Sequence, residues 1–156
     1  MKKFMMALAI AGLTFSVVAC SDEEKVECPK DPIAFQMIRD LETVSALPAS
    51  TLEECGTYAE QLATVSDKYA DQYDAAKAEA ESLKETDAAC KVRLALLGIL
   101  KGFSAADLYT TISEKGESCK TLLVGDENAA NLEKMNGALT TTAGWKNILQ
   151  TAADAL

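Results

Sequence analysis

Four cysteines, Cys28, Cys55, Cys90 and Cys119, stand at intervals of 27, 35 and 29 residues, and no two form a Cys-x-x-Cys pair. Zinc knuckles and thioredoxin-type redox sites both rely on thiols close together in sequence. Spacing this wide suits neither, so the even set is expected to close two structural disulfides. Histidine is absent from the whole chain, which removes the commonest general base, metal ligand and pH switch together. Hydrolysis would then fall to a Ser–Lys or carboxylate pair, and no motif marks one. With 24 acidic residues, two carboxylates close in sequence do not nominate a glycosidase pair. No catalytic residue, metal or cofactor is assigned, and the expectation is a non-enzyme.

The most regular polar pattern is acidic. Glu53, Glu60, Asp67, Asp74 and Glu81 recur every seven residues, with Asp71 within a turn of both Asp67 and Asp74. Carboxylates so spaced share a helix face and could meet one hard cation. A selective calcium site, however, takes about six to eight oxygens from a folded loop, and no EF-hand pattern is present. The solvated face of an amphipathic helix is the simpler reading. Tyr69, Tyr73 and Trp145 are the candidate ligand-lining or interface residues. The two tyrosines fall on an apolar seam, where core packing is expected, and the single tryptophan suits an anchor for the last helix.

The elements that must position these groups read as helices throughout. Asp31 as N-cap with Pro32 behind it opens a first helix carrying Ile33, Met37, Leu41 and Val44, which Pro48 ends. Ser50 with Glu53 resembles a capping box for a long second helix over about 51–84, with Gly56 its only breaker. Positions 52, 59, 66, 73, 80 and 55, 62, 69, 76, 83 make a nearly unbroken heptad seam along it. Its first half has the wider apolar face and should be the more buried. Thr86 or Asp87 caps a third helix, whose run Leu94–Leu100 is apolar nearly all round and should be the central core helix. Gly102 suits its C-terminal cap, and Ser104 with Asp107 opens a fourth helix running toward Gly116. Asp126 caps a fifth, the β-branched run Thr140–Thr142 is a fair place for a break, and a last helix carries Trp145, Ile148, Leu149 and Ala152. No strand-like alternation occurs. The fold class is an all-α bundle of about five or six helices with one long helix, braced by two disulfides.

Three pairings of four cysteines exist. A continuous second helix puts Cys55 and Cys90 roughly 45 Å apart at 1.5 Å per residue, excluding that bond and, with it, Cys28–Cys119. An antiparallel hairpin of the third and fourth helices would bring Cys90 and Cys119 level. The expected set is therefore Cys28–Cys55 with Cys90–Cys119. The alternative, Cys28–Cys90 with Cys55–Cys119, requires the fourth helix to run along the second.

The chain opens Met-Lys-Lys, followed by an apolar stretch from Phe4 to Val18, then Ala19 and Cys20. A short basic region before an apolar run of about 15 residues is a secretory signal, too short for the ~20 residues of a membrane span. The ending Val17-Val18-Ala19-Cys20 resembles the lipobox of bacterial lipoproteins. That resemblance implies cleavage before Cys20 and acylation of the cysteine. It also implies outer-membrane rather than inner-membrane residence, because Ser21 stands where an aspartate retains enterobacterial lipoproteins. Residues 1–19 are thus the expected signal peptide, 20–27 a lipidated N-terminus and acidic tether, and 28–156 one helical domain. Fully extended, the seven tether residues span only about 25 Å, which keeps the domain near its membrane.

Without Lys2 and Lys3 the chain carries 13 basic against 24 acidic residues, a net charge of −11. Such a surface repels nucleic-acid phosphates and anionic lipid head groups, so neither is expected as an electrostatic partner. The expected function is a membrane-anchored, non-catalytic envelope lipoprotein that engages a protein partner, with the long acidic helix as one surface. The alternative is a binding module for an apolar small molecule or lipid, held in an interhelical cavity lined by Leu96, Leu100, Tyr69 and Trp145. A cavity would favour the ligand; a filled core with an exposed apolar patch would favour the protein.

Overall fold

A computed structural model describes the backbone of residues 26–100 and 105–156, with side chains throughout except at 98–100, 105 and 106. Cys20, the leader and most of the tether lie outside the described residues, as do Gly102 and Ser104. Among the described residues there are six α-helices and no strand: α1 (Ile33–Ser45), α2 (Leu52–Ala70), α3 (Tyr73–Ser82), α4 (Ala88–Leu100), α5 (Ala105–Leu122) and α6 (Ala129–Asp154). The chain is all-α and braced by two disulfides.

The core is four rods wide. Glu60 pairs with Lys134 and the Ser66 hydroxyl bonds the Ala138 carbonyl, so α2 and α6 run in the same direction. Asp40 meets Lys68 while the Ile33 amide meets Glu79, so α1 runs antiparallel to α2 and α3. Gly116 lies against Leu139 and Lys146 lies over the Tyr109 ring, so α5 runs antiparallel to α6. Trp145, Tyr58, Tyr69, Met37, Leu41, Leu62, Ile112 and Met135 fill the space between the rods, each under 2% exposed.

Several boundaries differ from expectation. The capping box of α2 is Thr51 with Glu54, one residue later than Ser50 with Glu53. Thr51 Oγ1 accepts from the Glu54 amide at 3.3 Å, and the Glu54 carboxylate accepts from the Thr51 amide at 3.0 Å. The long second helix is interrupted at Asp71–Gln72, where Gln72 sits at φ −99° and ψ 0°. No proline or glycine marks that interruption. The heptad seam survives it: Cys55, Ala59, Leu62, Ser66, Tyr69, Ala76, Ala80 and Leu83 are all buried. As expected, the first half of this run buries the more residues.

Conversely, no break occurs at Thr140–Thr142, and α6 continues for 26 residues as the longest of the described helices. Thr140 and Thr142 donate their hydroxyls to the carbonyls of Asn136 and Ala138, four residues back, which satisfies them inside the helix. Gly116 does not end α5 either. A Cβ there would stand 2.8 Å from both methyls of Leu139, so the glycine is a site of close approach between α5 and α6.

The largest correction concerns α4 and the disulfides. Its Cys90 and Leu94 are buried, but Val92 is 59% and Leu96 52% exposed, so α4 lies at the edge of the bundle instead of its centre. The fourth helix of the sequence, α5, does not return along α4; it packs on α6, α2 and α1. That placement carries Cys119 to the start of α2 and leaves Cys90 beside the N-terminal segment. The bonds are Cys28–Cys90 and Cys55–Cys119, with Cα separations of 5.6 and 5.2 Å. Cys28–Cys55 and Cys90–Cys119 do not form, because the hairpin they rely on is absent. One bridge closes each end of the bundle.

Candidate functional site

The aromatic residues expected at a ligand groove or interface are brought together, but as core. Trp145 is fully buried, with the Tyr69 and Tyr73 rings edge-on to it at centroid distances of 6.0 and 5.4 Å. Such edge-to-face contacts suit the ring quadrupoles and hold α6 against the α2–α3 junction. Tyr69 donates its hydroxyl to Asp40 at 2.9 Å, and the Tyr73 hydroxyl reaches the Gly144 carbonyl at 3.4 Å. Leu96, expected to line the same cavity, is exposed on α4, and the Leu100 side chain lies outside the described residues. Tyr69 and Trp145 are packed against each other in the core.

Asp40 is the hub of the exposed polar cluster on this side. Burial pushes its carboxyl up, but the Lys68 ammonium at 2.6 Å and the Tyr69 hydroxyl outweigh burial and hold it below the ordinary aspartate value. Burial and the same carboxylate push the Tyr69 hydroxyl upward, so it stays protonated as a donor. The arrangement fixes Lys68 and Tyr69 on one carboxylate and ties α1 to the end of α2.

Glu53, Glu60, Asp67, Asp71, Asp74 and Glu81 are all exposed, continuing as one acidic face past the α2–α3 break. Among the described residues no group of three or more Cys, Asp or Glu is placed to hold a metal ion. None of the helices described is long and apolar enough to cross a membrane.

Two polar atoms are buried without a hydrogen-bond partner among the described residues, the Tyr58 hydroxyl and Trp145 Nε1. Burial pushes Tyr58 up to about 12. Neither atom belongs to the grooves on the surface. One of these, about 350 Å³, lies between α1 and α2 and is lined by Leu47, Pro48, Thr51, Glu53, Glu54 and Thr57. Another of about 270 Å³ follows the α5–α6 seam near Tyr109 and Leu139.

The residues that sequence reasoning missed are exposed apolar side chains at the two ends. Leu52 (47%), Leu122 (38%) and Val124 (62%) gather at the end closed by Cys55–Cys119. Leu52 lies one turn before Cys55 and Leu122 one turn after Cys119 on an antiparallel helix, so the bridge sets them at the same pole. The 350 Å³ groove opens at this pole too. Val92 and Leu96 stand at the other end, on the helix that Cys28–Cys90 fixes. No pattern in the sequence separates Leu52 from its buried seam partners; only the knowledge that the seam ends at the tip of the bundle would do so.

Fold and surface together define a disulfide-clamped helical bundle with exposed apolar side chains toward both ends. No family model, curated protein or solved structure matches the chain.

Proposed function

We propose that this protein is a lipid-anchored, non-catalytic interaction module of the bacterial envelope, held through an acylated Cys20, with outer-membrane residence, and docking a protein at the pole closed by Cys55–Cys119. The observation that carries this reading is the exposed trio Leu52, Leu122 and Val124 beside the Glu53–Glu54 rim of the groove. Apolar side chains gathered at one end and rimmed by charge are the surface form of a protein–protein contact. The acidic rim and the adjoining acidic face favour a partner with basic side chains around an apolar anchor. The buried aromatic cluster supports the same reading, because Tyr69 and Trp145 pack edge to face in the core.

A photo-reactive residue placed at Leu122 or Val124 in the native envelope should give a discrete crosslinked product, and one at exposed Thr64 on the flank of α2 should not. Absence of any product specific to the pole rejects the partner reading. The anchor is checked separately: Cys20→Ala should leave the leader poorly processed or release a soluble form. A Cys20→Ala chain as mature and as membrane-bound as wild type rejects lipidation.

A further inference from the structure

We infer that the outer face of α4 rests on the phospholipid bilayer, so that the bundle stands upright with its protein-docking pole outward. The inference rests on the lipid anchor proposed above.

Three observations converge on α4. The first is exposure with a definite facing. Cys90 and Leu94 turn inward, whereas Val92 and Leu96, four residues apart and therefore on one helix face, turn out at 59% and 52% exposure. The second is charge. None of the 24 acidic residues falls within Ala88–Leu100, although the chain around it is strongly acidic. Lys91 and Arg93 flank the apolar pair. Their side chains donate to neutral acceptors, Lys91 to the Lys84 carbonyl and Arg93 to the Pro29 carbonyl and Cys28 Sγ. Asp87, just outside the helix, is used as its cap, accepting from the Cys90 amide at 2.7 Å. An anionic membrane surface repels the acidic remainder of the bundle and accepts this one acid-free helix.

The third observation is where the chain leaves the described structure. The first described residue is Val26, two before Cys28, and Cys28 is bonded to Cys90 at the root of α4. From an acylated Cys20, residues 21–27 reach at most about 25 Å. The disulfide therefore transmits the tether directly to α4 and holds Val92 and Leu96 at the membrane end. The opposite pole lies at the far end of α6, whose 26 residues span about 39 Å. A short tether alone would let the bundle swing; an apolar helix face beside its attachment point supplies the second contact that fixes orientation.

The test uses the full lipidated chain reconstituted into phosphatidylethanolamine–phosphatidylglycerol vesicles. Two single-tryptophan probes are added at exposed positions, Leu96→Trp on α4 and Leu122→Trp at the far pole. Trp145, fully buried, serves as the constant background in both. With brominated acyl chains, the emission that Leu96→Trp adds to the Trp145 background should fall at least twofold, and that added by Leu122→Trp should be unchanged. Adding Val92→Glu to the Leu96→Trp protein should abolish the quenching without altering flotation with the vesicles. Protein that floats with Leu96→Trp unquenched overturns the membrane contact and leaves the α4 face to a protein partner. Equal quenching of both probes overturns the upright orientation. A blue shift that tracks protein concentration in detergent, without bromolipid quenching, assigns the face to a second copy and overturns the inference too. Protein that does not float at all shows that the anchor itself is wrong, a failure separately visible from the others.

Discussion

The carboxylate of Glu79 accepts a 2.6 Å hydrogen bond from the amide of Ile33, so α3 caps the N-terminus of α1 from 46 residues away. Pro32, the residue before α1, offers no side-chain cap of its own. A helix start leaves several amides without intrahelical partners, and a carboxylate there also meets the positive end of the helix dipole.

Glu79→Ala should cost about 1 kcal/mol, the ordinary value of a lost cap. Glu79→Gln keeps an acceptor and should cost less. Burial raises the Glu79 carboxyl above its ordinary 4.5, the Ile33 amide pulls it back in part, and Asp31 raises it again. A raised acid pKa contributes stability that is present below the unfolded value and lost as pH rises through the folded one. The gap between wild type and Glu79→Gln should therefore move in favour of wild type from about pH 7 to about pH 4. Urea unfolding of both proteins at the two pH values measures this; a gap moving the other way contradicts the placement of Glu79.

Each disulfide joins residues more than 60 apart, at separations of 62 and 64. In the chain-entropy model a loop of that length stabilises the fold by about 4 kcal/mol. Replacing Cys55 and Cys119 together by alanine should lower the melting temperature by more than ten degrees, since 1 kcal/mol corresponds to about 4 °C in a domain of this size. Mass mapping of the unreduced protein should return Cys28–Cys90 and Cys55–Cys119 peptides. A Cys28–Cys55 peptide would show that α5 is placed wrongly.

Two glycines in helices should respond differently to alanine. Gly137 has nothing within 4 Å of an added Cβ, so Gly137→Ala should stabilise by roughly 0.5–1 kcal/mol through helix propensity alone. Gly116→Ala gains the same propensity but pushes a methyl to 2.8 Å from Leu139, and should be neutral to destabilising by about 1 kcal/mol. Gly116→Ala combined with Leu139→Ala should relieve the clash and show a coupling beyond additivity. Equal stabilisation by both glycine substitutions would rule out the close α5–α6 contact.

Tyr58→Phe removes a buried hydroxyl that has no partner among the described residues. A lone buried polar group carries its desolvation cost without return, so the change should be neutral or stabilise by up to about 1 kcal/mol. Thermal unfolding is the measurement. A loss above 1 kcal/mol would reveal a hydrogen-bond partner for Tyr58 Oη.

What the sequence determined by itself was local. The helices around Ile33–Val44, Thr51–Leu83 and Trp145–Ala152 follow from apolar residues recurring at helical spacing, and that periodicity is written residue by residue. The all-α class and the buried seam of Cys55, Leu62, Tyr69, Ala76 and Leu83 were legible for the same reason. Two disulfides followed from the even number and wide spacing of the cysteines. What only the tertiary structure decided was which helix lies against which. Leu94–Leu100 is apolar on every side, so its composition names no facing; packing of α5 on α6 and α2 sets it at the edge and turns Val92 and Leu96 to solvent. The same packing chose Cys28–Cys90 and Cys55–Cys119, since a disulfide needs Cα atoms within about 7 Å and helix adjacency alone supplies that. Thr142 is 2% exposed inside the bundle, and that burial against neighbouring helices is a packing contact that its β-branched propensity does not encode. Pairing and facing are properties of distance between segments far apart in the chain, and periodicity along one segment carries no information about that distance.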